Sequence, residues 1–149
     1  MRIVLDTNIL VRANVRAQGP ARELLTRIIH GDHVLITSPF LLRETARSLA
    51  YPRLQRLWGL SSHEIREHVD LLERISCVVD PIVGPRVVFT DPNDDPVVYT
   101  AVAGKAEALS TLDHDFFETG VIDFCTEYGI SVLTDVQLLE RLLHLTSGL

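Results

Sequence analysis

The sequence has few cysteines and no long apolar run. Its 149 residues include two cysteines, Cys77 and Cys125, which lie far apart and form no CxxC pair. This pattern argues against a disulfide framework and a zinc site, and we expect both to be small buried apolar residues. No segment approaches the roughly 20 apolar residues that a membrane helix needs. Asp6 interrupts the apolar start, which is atypical of a secretory signal peptide. We therefore expect a cytoplasmic protein.

Positive charge is also scarce and unusual in kind. The formal net charge is −6, which argues against a general nucleic-acid coating protein, because such proteins are basic. Lys105 is the only lysine, and eight of the arginines fall between Arg12 and Arg56. The planar guanidinium fork suits phosphate oxygens. Solvated helix faces would explain these arginines equally well.

Apolar residues are plentiful enough for one folded domain. The length and the 46% of hydrophobic residues suit a single domain, over residues 1–149, with one substantial core. Short apolar runs alternate with helical patterns, and the predicted strands are RIVLD, HVLITS, LSTLD and ISVLT. Such runs between helices indicate parallel strands buried on both faces. The pattern predicts an α/β fold in which helices cover a central parallel sheet.

Local signals predict several boundaries. The pattern TNILVRANVRAQ predicts a helix over residues 7–18, and RVVF is either a strand or an extended loop. Ser38 before Pro39 is typical of a helix N-cap followed by the first helical residue. Ser62 is the expected cap of the helix that follows it. The segment 52–62 is predicted to be the most loop-like part of the chain.

Acids and hydroxyls follow the predicted strands. Asp6, Ser38 and Asp113 stand at or just after strand ends, Asp94 and Asp95 open a helix, and Glu44 lies inside one. Ligands of open α/β sheets bind at the carboxyl ends of the strands. Each acid alone could cap a helix.

Together, however, converging carboxylates would repel one another unless a cation lay among them. Oxygen ligands favour Mg²⁺ or Mn²⁺, and such an ion supports phosphodiester hydrolysis.

Four stretches, in this order, resemble a known family. IVLDTNIL is similar to the opening of PIN-domain ribonucleases, and ITSPFLLRETARSLAYPRL is similar to their second motif, where a helix carries a glutamate. TDPNDDPVVYTAVAGKAEALSTLDHDFF resembles the third and fourth motifs, and GISVLTDVQLLERLL resembles the closing strand and helix. The resemblance spans almost the whole chain and is greatest to the VapC-like toxins of toxin–antitoxin systems. It implies a PIN-like three-layer α/β/α fold with a central parallel sheet.

The resemblance also implies a set of site residues. The matching catalytic and metal-binding acids are Asp6, Glu44, Asp94 and Asp113. Asp94 is preferred for the third position because it precedes Ala101 by seven residues, as in the family, and Asp95 is the alternative. Asn8, Ser38 and Thr111 match polar residues that support such sites. Asp91 and Asp115 are expected to be turn and cap residues.

These residues lead to a functional hypothesis. The resemblance implies a Mg²⁺- or Mn²⁺-dependent endoribonuclease that leaves 5′-phosphate and 3′-hydroxyl ends, a cognate antitoxin protein, and a homodimer. Two arginine pairs could grip RNA phosphates, because i, i+4 residues share a helix face: Arg12 with Arg16, and Arg43 with Arg47. Four apolar residues could form either a partner surface or a small satellite core: Leu54, Leu57, Trp58 and Leu60.

Two other functions remain open. The first is a metal-dependent phosphatase on another α/β fold. Phosphatases of the haloacid-dehalogenase type require an aspartate where this sequence has Asn8, and this difference counts against that alternative. The second is a non-catalytic PIN module that binds RNA or protein.

Overall fold

The computed structural model describes residues 1–147, with the side chains of residues 1–145. Its centre is a sheet of five parallel strands in the order β3-β2-β1-β4-β5. The strands are β1 Arg2–Leu5, β2 Val34–Thr37, β3 Ser76–Val78, β4 Ala108–Ser110 and β5 Ser131–Leu133. The predicted parallel sheet is therefore confirmed.

Helices connect the strands and cover the sheet. They are α1 Thr7–Arg12, α2 Pro20–His30, α3 Pro39–Leu49, α4 Pro52–Leu57, α5 Ser62–Ile75, α6 Asp95–Ala103, α7 Thr119–Glu127 and α8 Asp135–Ser147. Two short 3-10 helices span Pro92–Asp94 and His114–Phe117. Contacts join α2 to α8, α1 to α3 and α3 to α5, whereas α6 packs on β1, β2 and β4. This arrangement is the α/β/α fold that the resemblance implies.

The central strands are buried because both of their faces are covered. Ile3, Val4 and Leu5 of β1 are fully inaccessible, as are Ala108 and Leu109 of β4. Burying one such aliphatic side chain contributes roughly 1.5–3 kcal/mol. The continuous apolar run at the start of the chain is thus explained by its place in the middle of the sheet.

The chain reverses its direction across the sheet between β1 and β4. The connection that leaves β1 leads to β2 on one side, and the connection that leaves β4 leads to β5 on the other. The two connections diverge and leave a crevice at the carboxyl ends of β1 and β4, where open α/β sheets bind their ligands. Asp6 follows β1 and Thr111 follows β4, so both stand at this crevice.

Two predicted helix boundaries are wrong. Helix α1 ends at Arg12 rather than at residue 18, because the Asn14 amide donates to the Val11 carbonyl at 2.7 Å while its oxygen accepts from the Arg16 N–H at 2.8 Å. These bonds offer the backbone an alternative to the helix. The cap of α5 is Ser61 rather than Ser62, because Ser61 and Glu64 form a reciprocal capping box.

Two further expectations need correction, and one open alternative is decided. The segment 52–62 is not mainly loop, because α4 occupies its first half. Cys77 is exposed on the edge strand β3, and only Cys125 is buried. RVVF is an extended loop that buries Val87 and Val88. Ser38, in contrast, caps α3 as predicted, with its hydroxyl accepting from the Leu41 N–H. No helix in the described part of the chain is long and apolar enough to cross a membrane.

Candidate functional site

Asp6 is buried at the junction of β1 and α1. Its backbone is locked beside β4 by a hydrogen bond from its N–H to the Ser110 carbonyl at 2.9 Å. One carboxylate oxygen accepts from the Thr7 N–H at 2.7 Å, which caps the helix. The other accepts from the Thr111 hydroxyl at 2.8 Å and from the Asn8 amide at 3.4 Å. Asp6 therefore caps α1 with one carboxylate oxygen, and with the other it accepts hydrogen bonds from the side chains of Thr111 and Asn8 at the crevice.

Thr111 and Asn8 connect the ends of the two central strands. The fully buried Thr111 hydroxyl also accepts from the Asn8 amide at 3.3 Å and from the Asp113 N–H at 3.0 Å. The side-chain oxygen of Asn8, Oδ1, in turn accepts from the Leu112 N–H at 3.2 Å. These bonds fix the loop after β4 against the start of α1. They hold Asp6 and Asp113 in a defined relative position.

Three carboxylates converge beside this network. Asp94, Asp113 and Asp115 can each offer an oxygen so that all three oxygens lie within 4.8 Å of one another. The structure thus brings Asp94 and Asp113 together and adds Asp115, which was expected to be only a turn or cap residue. Asp115 joins them because its N–H donates to Asp113 Oδ1 at 3.0 Å and starts a 3-10 turn. Its position two residues after Asp113 was the available signal.

The acids perturb one another electrostatically. Burial, followed by the nearby charges of Asp6, Asp113 and Asp91, raises the pKa of Asp94 to about 8. Burial also raises the pKa of Asp6 to about 6, although the hydrogen bonds from Thr111, Thr7 and Asn8 oppose this change. Like charges in a half-buried crevice disfavour ionisation. The mutual repulsion of these carboxylates therefore makes their simultaneous ionisation unfavourable.

An open cleft of about 1080 Å³ extends from these acids toward α4. Glu44 of α3 lines this cleft with Asp6, Asp94 and Asp113, and its carboxylate lies 3.6 Å from Arg47. Four arginines line the cleft: Arg12, Arg47, Arg53 and Arg56. The cleft therefore places guanidinium groups alongside carboxylates, although the whole chain is acidic.

Comparison with known proteins agrees with this architecture. The family model described as PIN domain matches residues 2–115, which include the crevice acids. The chain belongs to the PIN domain family. PIN domains are generally nucleases.

Two individual proteins are similar to this chain over most of its length. It is 24% identical over 106 residues to an uncharacterized protein of Methanocaldococcus jannaschii, a match that covers 71% of this chain and 67% of that protein. It is also similar to a chain in the crystal structure of VapBC2 from Rickettsia felis bound to a DNA fragment from their promoter. That likeness has a TM-score of 0.55 and 15% identity, and it covers 89% of this chain and 98% of the other. At this identity it shows a shared fold.

Some of the predicted site residues of this PIN domain lie elsewhere. Ser38 is fully buried and accepts from the Thr100 hydroxyl at 2.9 Å, so it fastens α3 to α6 rather than lining the cleft. Arg16 donates to the carbonyls of Trp58 and Gly59 at 2.8 Å. Arg43 is exposed and is not among the residues that line the cleft. Arg53 and Arg56 line it instead, and only the course of α4 reveals this.

Asp95, the alternative to Asp94, has a different environment. It is 2% exposed, and its Oδ1 accepts from the Val87 and Val88 N–H groups at 3.2 and 2.8 Å. Its Oδ2 lies 3.5 Å from Arg86 Nε. Asp95 is the first residue of α6 rather than its cap, and its carboxylate binds the preceding loop. Of the two neighbouring acids, Asp94 lines the cleft.

The apolar residues around α4 form a small satellite core. Val11, Leu49 and Leu60 are buried together, and Leu54 and Trp58 pack against them. Only Leu57 of the four predicted surface residues is exposed, at 63%. The satellite-core interpretation is therefore correct for Leu54, Trp58 and Leu60. Leu54, Leu57 and Trp58 also line the cleft.

Proposed function

We propose that this PIN domain is a Mg²⁺- or Mn²⁺-dependent endoribonuclease. The observation that carries the proposal is the convergence of Asp94, Asp113 and Asp115 beside Asp6 at the crevice between β1 and β4. Structural ion-pair networks can also perturb carboxylates. In this cluster, however, the neighbours that raise the pKa of Asp94 are other acids, and a bound cation would favour the charged form of each of them.

The residues fit a hard divalent cation. Their donors are carboxylate oxygens, which suit Mg²⁺ and Mn²⁺. Asp94 Oδ2 is buried and accepts no hydrogen bond within the described residues, although buried acceptors are normally satisfied. Asp94, Asp113 and Asp115, with Asp6 beside them, would hold the ion, and Glu44 would stand at the cleft wall. When bound, such an ion lowers the pKa of water and stabilises charge on phosphoryl oxygens.

The chain's own residues would orient and bind. Thr111 and Asn8 fix one oxygen of Asp6 by hydrogen bonds, which is the usual role of groups that support a metal ligand. Arg12 and Arg47 would bind backbone phosphates along the cleft, since guanidinium groups pair well with phosphate oxygens. Arg53 and Arg56 extend the same row beyond the predicted pairs.

Cleavage of a mixed RNA pool, with and without Mn²⁺, tests this proposal. Asp6→Asn should abolish cleavage, because it removes a negative charge from the site while keeping the side-chain shape. Asp123→Asn is the matched control, because Asp123 is an exposed acid on α7 that does not line the cleft. Mapping of the cut ends should give 5′-phosphates. Equal cleavage by wild type and Asp6→Asn would contradict the assignment.

The arginine row has its own matched pair. Arg47→Ala should weaken RNA binding and reduce its salt dependence by about one phosphate contact. Arg43 lies on the same helix but does not line the cleft. Arg43→Ala should therefore have little effect on RNA binding. Equal losses from the two substitutions would argue against this path for the RNA.

Calorimetric titration separates the alternative functions. Binding of Mn²⁺ to the wild type, and weaker binding to Asp113→Asn, is expected. No binding at millimolar metal would favour a non-catalytic RNA- or protein-binding module. Hydrolysis of small phosphomonoesters without RNA cleavage would favour the phosphatase alternative.

We further propose that the protein is a VapC-like toxin that acts on RNA in the cytoplasm. Family membership and the fold shared with a chain of a VapBC2 complex support this. A cognate antitoxin protein and a homodimer would then be expected. Induced expression in a bacterial host should arrest growth, and Asp6→Asn should not. Sedimentation would show whether the protein is dimeric, and normal growth at full expression of an active nuclease would argue for RNA turnover instead.

A further inference from the structure

A tight turn beside the cleft presents an aromatic ring to solvent. The turn spans Val88 to Asp91, closed by a hydrogen bond from the Asp91 N–H to the Val88 carbonyl at 3.3 Å. Phe89, at its corner, is 77% exposed. The Arg86 guanidinium carbon lies 6.0 Å from the centre of the Phe89 ring. We propose that Phe89 and Arg86 form a stacking platform for an unpaired base of the RNA strand that enters the cleft.

The platform is held by buried interactions. The carboxylate of Asp95 accepts from two successive N–H groups of the loop, which directs Val87 and Val88 into the core. Arg86 donates to the Phe89 carbonyl at 3.0 Å and lies 3.5 Å from the Asp95 carboxylate. The exposed ring therefore projects from a fixed backbone. The neighbouring Arg86 guanidinium is held by both the Phe89 carbonyl and the Asp95 carboxylate.

A second anchor holds the start of the same loop. The Tyr99 hydroxyl donates to the Pro85 carbonyl at 2.6 Å. A Cβ atom at Gly84 would lie 2.9 Å from the Tyr99 hydroxyl oxygen, so the loop passes close over α6. Rigid presentation matters for binding, because a fixed group loses little conformational freedom when a ligand arrives.

The turn is continuous with the cleft. Asp91, its last residue, lines the cleft together with Asn93 and Asp94. Phe89 is two residues from Asp91, and two residues span at most about 7 Å of extended chain. The Phe89 backbone thus lies close to the cleft wall on the side of the acids, whereas Arg53 and Arg56 line the cleft from α4.

The chemistry of the platform suits a nucleobase. Any unpaired base has a π face that can stack on an aromatic side chain, and arginine adds cation–π attraction and a contact for phosphate. The Arg86 guanidinium is paired with Asp95, but its side chain is about half exposed beside the ring and can also meet an anionic strand. Bases inside a duplex are already stacked, so the platform predicts a preference for single-stranded RNA. This inference rests on the proposed ribonuclease function.

Direct binding tests the platform apart from cleavage. Fluorescence anisotropy with a labelled single-stranded RNA is measured in Ca²⁺, a hard cation that carboxylates also bind. Phe89→Ala should weaken binding by roughly 5- to 150-fold, the range found for stacking of one base. The loss should be the same factor at each salt concentration, because no phosphate contact is removed. Phe89→Trp should retain the affinity.

Two further variants define what the ring contributes. Phe89→Leu keeps an apolar side chain without a π face and should behave like Phe89→Ala. Ile82→Ala is the matched control, because Ile82 is 93% exposed in the same connection between β3 and α6; it should bind like the wild type. Unchanged thermal unfolding of each variant would show that the fold is intact. Duplex RNA of the same sequence should bind more weakly than the single strand.

The outcomes separate the platform from the nuclease. In Mn²⁺, with single-stranded RNA varied over concentrations that span KM, Phe89→Ala should raise KM and leave kcat nearly unchanged. Cleavage and binding that are equal to the wild type would overturn the platform, leave the nuclease proposal intact, and favour a protein partner for this turn. Phe89-dependent binding without any cleavage would support the platform and contradict the nuclease. No binding by the unsubstituted protein would overturn both.

Discussion

Replacing Asp94 by asparagine is expected to stabilise the metal-free protein while it weakens metal binding. Burial and the neighbouring acids raise the pKa of Asp94 from its ordinary value of 3.8 to about 8. A carboxyl group with a raised folded-state pKa contributes stability only while it is protonated. This contribution is complete below the unfolded-state pKa and is lost as the pH rises through the folded-state pKa. Asparagine removes the titration.

The size of the effect follows from the pKa difference. A difference of one in pKa corresponds to about 1.4 kcal/mol, so the full change would exceed about 5 kcal/mol near pH 8. Asp94 is only half-buried, and solvent screening reduces this value by more than half. We therefore expect Asp94→Asn to raise the free energy of unfolding by about 2 kcal/mol near pH 8. That gain corresponds to a rise in Tm of roughly 4–8 °C.

Urea denaturation in EDTA, near pH 5 and near pH 8, measures this effect. The difference between variant and wild type should be small at the acid pH, which lies only about one pH unit above the ordinary pKa of an aspartate, and it should grow as the pH rises toward 8. Added Mn²⁺ should stabilise the wild type more than the variant, because binding to the folded state shifts the equilibrium by mass action. A variant that is less stable than the wild type near pH 8 in EDTA, or a difference that does not change with pH, would refute the reasoning.

Three other substitutions probe the framework, each by urea or thermal unfolding. Thr111→Val should lower stability by about 1–3 kcal/mol, because it leaves the buried Asp6 oxygen without its closest hydroxyl donor; an unchanged midpoint would contradict this. Burial lowers the pKa of His68, so stability should fall as the pH drops below about 6.5. His68→Gln should reduce that slope, and an identical slope would show that His68 is not responsible. Gly104→Ala should lower stability by about 1–3 kcal/mol, because the new methyl group would overlap the Ile36 side chain; full stability would show that β2 can shift.

Much of the sheet could be predicted from short-range patterns. Ile3, Val4 and Leu5 form a continuous apolar run, and such a run fits a central strand that both helix layers cover. Ser38 before Pro39 likewise predicts the start of α3, because the capping interaction joins residues three apart. These features depend on neighbours in the sequence, so the sequence alone is sufficient to predict them.

The prediction failed where a side chain chose between two local partners. Asn14 could have continued α1, but its amide binds the Val11 carbonyl and ends the helix. Ser61 and Ser62 are both suitable caps, but Glu64 lies three residues after Ser61, which is the capping-box spacing and is visible in the sequence. Competing hydrogen bonds of similar strength leave such boundaries to the final packing.

The residues of the crevice likewise fall into those that the sequence predicts and those that only the tertiary structure places. The sequence by itself places Asp6 at the end of a buried strand and Asp113 after another, and it predicts that parallel strands bring their carboxyl ends to one edge. Only the tertiary structure adds Asp115 to Asp94 and Asp113, directs Asp95 into the loop, and places Arg53 rather than Arg43 on the cleft. The physical reason is that strand ends are fixed by the sheet, whereas the direction of a side chain in a turn or short helix depends on contacts with distant residues.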